Sequence, residues 1–184
     1  MRHKLLILLL LTAMEVAAQG RYCNSYDDFA TGQWQALPSV RIISHSISHQ
    51  FWVGGSDYKI TSDDKTIAKM LKKETLVVEY HDTLYVNLRK LRYKDFRMGS
   101  GYTRAVRVGD NKLAFAARSV NSTMRTVFMW NFFGIVGSAI SYNYSHKNKV
   151  IYIIDNNGNG KKIRVKKLDN SAYKDALLES EKLQ

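Results

Sequence analysis

The most concentrated set of chemically useful side chains is a basic run that contains two aromatic residues. Residues 89–97 read RKLRYKDFR, with five cationic side chains and a single acid. A second basic stretch, KKIRVKK, occupies residues 161–167. Guanidinium and ammonium groups bind phosphate and carboxylate groups through charge-assisted hydrogen bonds. The two stretches predict one anion-binding patch, although charge runs are also typical of a plain solvated face. Its members are Arg89, Lys90, Arg92, Lys94, Lys162, Arg164 and Lys166.

A short segment near the C-terminus matches the opening half of a calcium-binding loop. Asp155 to Gly160 places oxygen-bearing side chains at positions one, three and five and glycine at position six. Position twelve, where a bidentate Glu completes such a site, is Lys166, and Lys161 and Lys162 would repel a cation. Asn and Gly are also the residues that hairpin turns prefer. We therefore predict a structural turn here and no metal.

Two histidines have a spacing that could align metal ligands on a helix. However, the apolar-polar alternation of residues 46–53 predicts a strand. In a strand, His45 and His49 would lie about 13 Å apart, at about 3.3 Å per residue, and could not share a zinc ion. The chain has no Cys pair and no His-Glu-x-x-His motif. We expect neither a metal nor a cofactor.

The sequence lacks the usual signatures of nucleophilic catalysis. Gly54 to Asp57 is glycine-rich without the Gly-x-Ser-x-Gly frame, and Gly99 to Gly101 lacks the Gly-Lys-Ser/Thr of a phosphate-binding loop. The enzymatic alternative is a hydrolase whose site would be assembled from scattered residues, if the fold brought them into one pocket. Its members would be His49, Asp57, His81 and Asp82.

The first 18 residues predict a secretory signal peptide. Arg2 and Lys4 give a positive start, Leu5 to Leu11 is apolar, and small residues lead up to Ala18. The apolar run is shorter than the roughly 18 residues that cross a bilayer as a helix. We predict cleavage after Ala18 and export of the remaining chain.

The single cysteine lies close to this cleavage site, where a bacterial lipoprotein would carry its acylated residue. Tyr22 directly before Cys23 does not fit a lipoprotein signal, which requires a small residue there. One cysteine also excludes an intrachain disulfide framework. We therefore predict that Cys23 is a lone thiol and that stability comes from a packed core.

The chain is strongly basic, with a formal net charge of +12. The signal peptide contributes +1 of this through Arg2, Lys4 and Glu15, which leaves +11 after cleavage. A basic exported protein is attracted to polyanions such as lipopolysaccharide phosphates or acidic glycans. Aromatic residues among cations are also typical of proteins that bind single-stranded nucleic acid, but the export signal argues against that partner.

Three hairpins dominate the predicted elements. They pair Thr75–Tyr80 with Thr83–Leu88, Tyr102–Val108 with Lys112–Ala117, and Val150–Ile154 with Lys162–Lys167. The last hairpin alternates apolar and basic residues, which predicts one wet, basic face. The predicted helices are Thr61 to Lys73, with a capping box formed by Thr61 and Asp64, and the C-terminal stretch Asn170 to Leu183.

An apolar segment, Thr126 to Ile140, interrupts the hairpin pattern and carries small residues at helical spacing. It is too short for a membrane span, so we predict a buried or interface-forming helix that could bind a protein partner. Together these elements predict a single domain over residues 19–184. Its fold class is α+β: an antiparallel β-meander, curled into a half-barrel or sandwich, with two peripheral helices and one apolar helical insertion.

Several short motifs resemble a family of exported proteins of unknown function from Bacteroidetes-type bacteria. They are Tyr26 to Phe29 with Gly32, Leu84 to Asn87, Phe133 to Ala139, and Leu177-Leu178. The resemblance implies a Gram-negative envelope setting: periplasmic, outer-membrane-associated or extracellular. It implies no activity. We predict a non-enzymatic binding or structural module for anionic envelope glycan, lipid or a protein partner, with the hydrolase as the alternative.

Overall fold

The computed structural model describes residues 20–53, 56–94, 96–108, 112–118, 149–154 and 163–168. Three helices and one 3₁₀ turn occur among them: α1 (Tyr26–Thr31), α2 (Ile47–Val53), α3 (Lys65–Lys73) and the 3₁₀ turn Leu88–Lys90. The strands are β1 (Gly20–Cys23), β2 (Gln35–Ala36), β3 (Arg41–Ser44), β4 (Tyr58–Thr61), β5 (Val77–Tyr80), β6 (Thr83–Asn87), β7 (Leu91–Tyr93), β8 (Phe96–Arg97), β9 (Tyr102–Val108), β10 (Lys112–Ala117), β11 (Val150–Ile154) and β12 (Ile163–Leu168).

The three predicted hairpins are confirmed. β5 pairs with β6, β9 with β10, and β11 with β12, all antiparallel. In the first hairpin Tyr80 lies opposite Thr83, so His81 and Asp82 alone form the turn. Their φ angles of 46° and 58° are those of a type I′ turn, whose twist matches that of the two strands it connects.

The sheet is curled, because its strand order and its chain connections require it. The order is β2-β1-β5-β6-β9-β10-β11-β12-β7-β8, with β3 and β4 joined to β9 through β4. Four strands lie between β6 and β7, so in a flat sheet the two would be five strand spacings apart. At about 4.8 Å per spacing this is about 24 Å. The chain from Asn87 to Leu91 spans at most about 14 Å. The sheet is therefore bent but open, which agrees with the predicted α+β class with a meander, for which a half-barrel or a sandwich was expected.

The concave face of the sheet contains the main core. Side chains from eight strands meet there, among them Val86, Leu91, Phe115 and Tyr152. Helix α1 closes the concavity with Tyr26 and Phe29, and the Tyr26 hydroxyl donates to the carbonyl of Ile154 at 3.2 Å. A second cluster on the convex face buries one side of α3 against β4, β5, β6 and β9. Its buried members are Tyr22, Leu37, Val40, Ile60, Leu71, Val78, Tyr85 and Tyr102.

A buried asparagine joins the convex cluster to the 3₁₀ turn. The Asn87 amide donates to the carbonyls of Leu71 at 3.2 Å and Thr75 at 2.9 Å, where α3 ends. Its side-chain oxygen accepts the backbone N–H of Arg89 at 3.1 Å. The Tyr102 hydroxyl also donates to the Leu71 carbonyl, at 2.6 Å, and burial raises the pKa of Tyr102 above its ordinary value. Asn87 thereby fixes where the 3₁₀ turn begins and where β7 starts.

Two local predictions were wrong. Residues 46–53 do not form a strand, because Ser46 begins a helix instead: its hydroxyl accepts the N–H of His49 at 3.1 Å and its carbonyl accepts that of Gln50 at 3.0 Å. This N-terminal cap outweighs the alternating pattern. The helix predicted from Thr61 begins instead at Lys65, because Thr61 ends β4. The Asp64 carboxylate caps this helix by accepting hydrogen bonds from the backbone N–H groups of Thr66 and Ile67.

Four predicted segments lie outside the described residues. They are the signal peptide 1–18, the apolar segment 126–140, the loop 155–160 and the C-terminal helix 170–183. Among the residues that are described, none belongs to a helix long and apolar enough to cross a lipid bilayer.

Candidate anion-binding site

Three arginines form a row across three adjacent strands. Arg164 on β12 is the parallel register partner of Arg92 on β7, and Arg92 is the antiparallel partner of Arg97 on β8. Residues that are directly paired across strands project from the same face of a sheet. The Cα atoms of Arg164 and Arg97 are therefore about 10 Å apart, at about 4.8 Å per strand, with Arg92 between them. We refer to these three residues as the arginine row.

The arginine row lies on the convex face of the sheet. Leu91 and Ile163, the residues just before Arg92 and Arg164, point into the core on the concave face. Arg97 and Arg164 are exposed and Arg92 is half-buried. In the part of the chain that the structure describes, no carboxylate lies within ion-pairing distance of Arg97 or Arg164. Like charges directly opposite each other destabilise a sheet, so an anion bound at the row would relieve this repulsion.

The predicted patch is only partly brought together. Lys166, two residues beyond Arg164 on β12, is exposed on the same face as the row, which confirms the alternation predicted for this hairpin. Arg89 and Lys90 lie on the 3₁₀ turn and are half-buried. Lys94 occupies the turn after β7, at a φ of 53°, with its ammonium 5.7 Å from the ring centre of Tyr93. Lys162 lies outside the described residues.

The sequence-based patch omitted Arg97, which the structure places in the row. Arg97 could have been included from the sequence alone. A tight hairpin that pairs Tyr93 with Phe96 also pairs Arg92 with Arg97. Pairing with Arg164 could not be read from local pattern, because β12 and β7 are parallel and distant in sequence.

The histidines predicted to lie far apart are in contact. Because α2 replaces the expected strand, the rings of His45 and His49 stack with their centres 4.3 Å apart. His45 Nδ1 lies 2.9 Å from the carbonyl oxygen of Ser56 and donates to it in the matching tautomer. Stacked rings do not direct their nitrogens at a common point. Within the described residues, no group of three His, Cys, Asp or Glu side chains is placed to hold a metal ion.

The four residues of the hydrolase alternative do not meet in one place. His49 stacks on His45, whose backbone N–H donates to the carbonyl of Asp57 at 2.7 Å, whereas His81 and Asp82 lie elsewhere. The Asp57 carboxylate accepts from the Thr103 hydroxyl at 2.8 Å and from the Lys149 ammonium at 3.0 Å, close to the start of β9. His81 and Asp82 lie at the opposite end of that strand, since the β6 residue Leu84 is already paired with Ala105. The distance along β9 from Tyr102 to Ala105, three residues, is about 10 Å. The geometry therefore gives no support to a site made of these side chains.

Cys23 is a free, fully buried cysteine in β1, although it lies close to the predicted cleavage site. Its thiol contacts the carbonyl oxygen of Gln33 at 3.7 Å. Burial raises the pKa of the Cys23 thiol from 9.0 to about 12, so the thiolate is scarce at neutral pH. A buried, protonated thiol is a poor nucleophile.

Comparison with known proteins identifies a family whose function is not known. A family model described as a family of unknown function, DUF6563, matches residues 21–181. No curated protein and no solved structure matches this chain. The match agrees with the expected resemblance to a family of unknown function, while the bacterial source and the export of the chain stay predictions.

Proposed function

Because the chain belongs to DUF6563, a family whose function is not known, we propose a function from the residues of the chain itself. The protein is an exported, non-enzymatic binding module that binds phosphate or carboxylate groups of an envelope glycan or lipid through the arginine row. The observation that carries this proposal is the register that places Arg164, Arg92 and Arg97 side by side on the convex face.

The chemistry of arginine supports an anionic ligand. The guanidinium group is always charged, is planar, and donates two parallel hydrogen bonds to a carboxylate or phosphate. A row about 10 Å long, at about 4.8 Å per strand, is long enough for more than one anionic group of the same molecule. Lys166 extends the positive surface along β12, and the net charge of +11 that remains after cleavage attracts polyanions over longer distances.

The simplest competing explanation is that polyanions bind to the diffuse positive charge of the whole surface. The two explanations predict different effects when cations are removed at different positions. Diffuse attraction depends on how many cations are removed, whereas the row depends on which cations are removed. The protein partner predicted for Thr126 to Ile140 is a separate proposal that rests on the sequence of that segment alone.

The test compares two triple variants with equal charge. R92Q/R97Q/R164Q removes the row, and K65Q/K69Q/K72Q removes three exposed lysines of α3. Binding of residues 19–184 to lipopolysaccharide and to polygalacturonate is measured at low and high salt. Each cation near an anionic surface contributes about 1 kcal/mol, so the row variant is expected to bind on the order of 100-fold more weakly at low salt. The lysine variant is expected to bind almost as the parent does.

A third variant separates charge from hydrogen-bond geometry. R92K/R97K/R164K keeps the three charges but removes the planar forks, and intermediate affinity is expected. Equal weakening by the row and lysine variants would show that the attraction is diffuse, and the proposal would then be abandoned. Absence of binding by the parent protein to both polyanions would also refute it.

A further inference from the structure

The strand β3 has an open edge. It pairs with β4 on one side, and among the described residues no strand pairs with its other side. The backbone N–H and C=O groups on an unpaired side of a strand are a template on which another strand can pair. We therefore asked which groups of β3 face outwards and which strand fits them.

The register of β3 with β4 identifies the outward groups. The N–H of His45 donates to the carbonyl of Asp57 at 2.7 Å, so this register pair is hydrogen-bonded. Hydrogen-bonded and non-hydrogen-bonded pairs alternate along antiparallel strands. Ile43 is therefore bonded to β4, whereas the N–H and C=O groups of Ile42 and Ser44 point away from it. Within the described part of the chain, these four groups have no hydrogen-bond partner.

The edge lacks the features that usually prevent strands from pairing. A lysine, a proline or a bulge in the middle of an edge strand blocks pairing. The middle of β3 instead has Ile43, whose side chain is 42% exposed, and Ser44 beside it is exposed as well. The only charged residue of β3 is Arg41 at its first position, and it forms an ion pair with Asp63. The edge is thus accessible and uncharged at its centre.

The outward groups of β3 are complementary to those of a second, antiparallel β3. When Ile42 of one copy lies opposite Ser44 of the other, these two residues exchange two hydrogen bonds, and a twofold axis repeats the pair. All outward groups of both copies are then used. Ile43 lies on the axis opposite its own counterpart, in a non-hydrogen-bonded pair whose Cα atoms are about 4.5 Å apart.

The charge around this edge also suits a second copy. Residues 41–44 and 58–64 contain two basic side chains, Arg41 and Lys59, and two acidic ones, Asp63 and Asp64. This region is therefore neutral on a chain whose net charge after the predicted cleavage is +11. Two copies that meet here avoid the repulsion that two basic faces would cause. A highly charged partner of either sign meets no opposite net charge in this region.

We propose that β3 is a homodimer interface, in which the β3 edges of two copies pair antiparallel about a twofold axis at Ile43. Two strands of four residues bury less than the roughly 1,200–2,000 Å² of a standard interface, so the dimer is weak and forms at high protein concentration. The interface shares no residue with the arginine row. The proposal therefore does not depend on the proposed anion binding.

The first test is the oligomeric state of residues 19–184, measured by sedimentation equilibrium from micromolar to millimolar concentration. A monomer–dimer equilibrium is expected. High salt is expected to strengthen it, because screening reduces the repulsion between two chains of +11. Salt weakens anion binding at the arginine row, so the two interactions change in opposite directions. The variant R92Q/R97Q/R164Q is expected to dimerise at least as strongly as the parent.

A matched pair of substitutions at Ser44 separates pairing from folding. S44P removes an outward N–H that makes no bond to β4, and edge strands tolerate proline at such positions, so the midpoint of thermal unfolding is expected to stay close to that of the parent. The association constant is expected to fall at least tenfold. S44A keeps the N–H and is expected to dimerise as the parent does. If S44P does not fold, I43K takes its place, because it brings two lysines together on the axis.

Disulfide trapping tests the register. In I43C the Cα atoms of the two cysteines are about 4.5 Å apart, within the range of about 4.4–6.8 Å for disulfides, so mild oxidation is expected to give a covalent dimer. The control is K59C, at the exposed register partner of Ile43 on β4. Its two copies are three strand spacings apart, about 14 Å, and should not be trapped. Cys23 is buried and does not compete.

Three results would overturn the proposal. The first is a parent protein that stays monomeric over the whole concentration range. The second is a dimer that survives both S44P and I43K, since the contact would then lie elsewhere on the chain. The third is equal trapping of I43C and K59C, which would show random collision and no defined register.

Discussion

Replacing Asn87 with alanine should cause the largest loss of stability among the polar substitutions considered, because this buried side chain makes three hydrogen bonds shorter than 3.5 Å, two of them fully buried. They join it to the carbonyls of Leu71 and Thr75 and to the N–H of Arg89. Each bond contributes about 1 kcal/mol net, so N87A is expected to lower the free energy of unfolding by about 3 kcal/mol. Domains of this size unfold with about 5–15 kcal/mol, which makes such a loss readily measurable.

The assay is urea unfolding of residues 19–184 followed by circular dichroism. The control is N24A, because the buried side-chain oxygen of Asn24 has no hydrogen-bond partner in the described part of the chain. That variant should change the free energy of unfolding by less than about 1 kcal/mol, since no hydrogen bond of that oxygen is lost. A loss below about 1 kcal/mol in N87A would refute the assigned role of Asn87.

A double-mutant cycle tests the same hydrogen-bond network more sharply. Y102F removes the other donor to the Leu71 carbonyl and should cost about 1 kcal/mol alone. In the double variant N87A/Y102F that carbonyl loses both side-chain donors, so the combined loss should exceed the sum of the single losses. Strict additivity would show that the two side chains do not share this acceptor.

Three further predictions concern Cys23, Gly32 and a surface ion pair. Cys23 should resist maleimide at pH 8 in the folded protein and react fully in urea. Because its pKa rises from 9.0 to about 12 on folding, the unfolded chain loses this proton first, and the free energy of unfolding should fall above pH 9 more steeply than in C23A. G32A should lower the free energy of unfolding by about 1 kcal/mol, because φ at this position is +72° and the cost is conformational: no atom lies within 4 Å of the added Cβ. G32N should cost less in the same urea unfolding assay. R41A/D63A should leave the urea midpoint unchanged, because both side chains of this ion pair are largely exposed.

The parts of the fold that sequence predicted are those encoded by neighbouring residues. Runs rich in β-branched and aromatic residues, separated by polar segments, were sufficient to predict all three hairpins. The strand predicted over residues 46–53 was wrong because one hydroxyl, that of Ser46, begins a helix there. Apolar alternation over so short a stretch does not exclude a single capped helix of seven residues.

The candidate sites could be predicted only in part from the sequence, and the reason differs from the one that made the strand prediction at residues 46–53 wrong. The basic residues were evident, but their arrangement in a row depends on the register between β12 and β7. The ion pair of Arg21 with Glu79 likewise depends on the register between β1 and β5, which the residues around either position do not predict. Contacts of this kind are selected by the whole fold, and local propensity carries no information about them.

The pairing of β12 with β7 also bears on how the protein folds. Leu91 and Ile163 are partners across 72 residues of chain, so this pairing closes a long loop. Contacts so distant in sequence form slowly, and the arginine row does not exist until β12 has docked beside β7. A ligand bound at the row would therefore select chains that have completed this step, and it would slow their unfolding more than it would speed their folding.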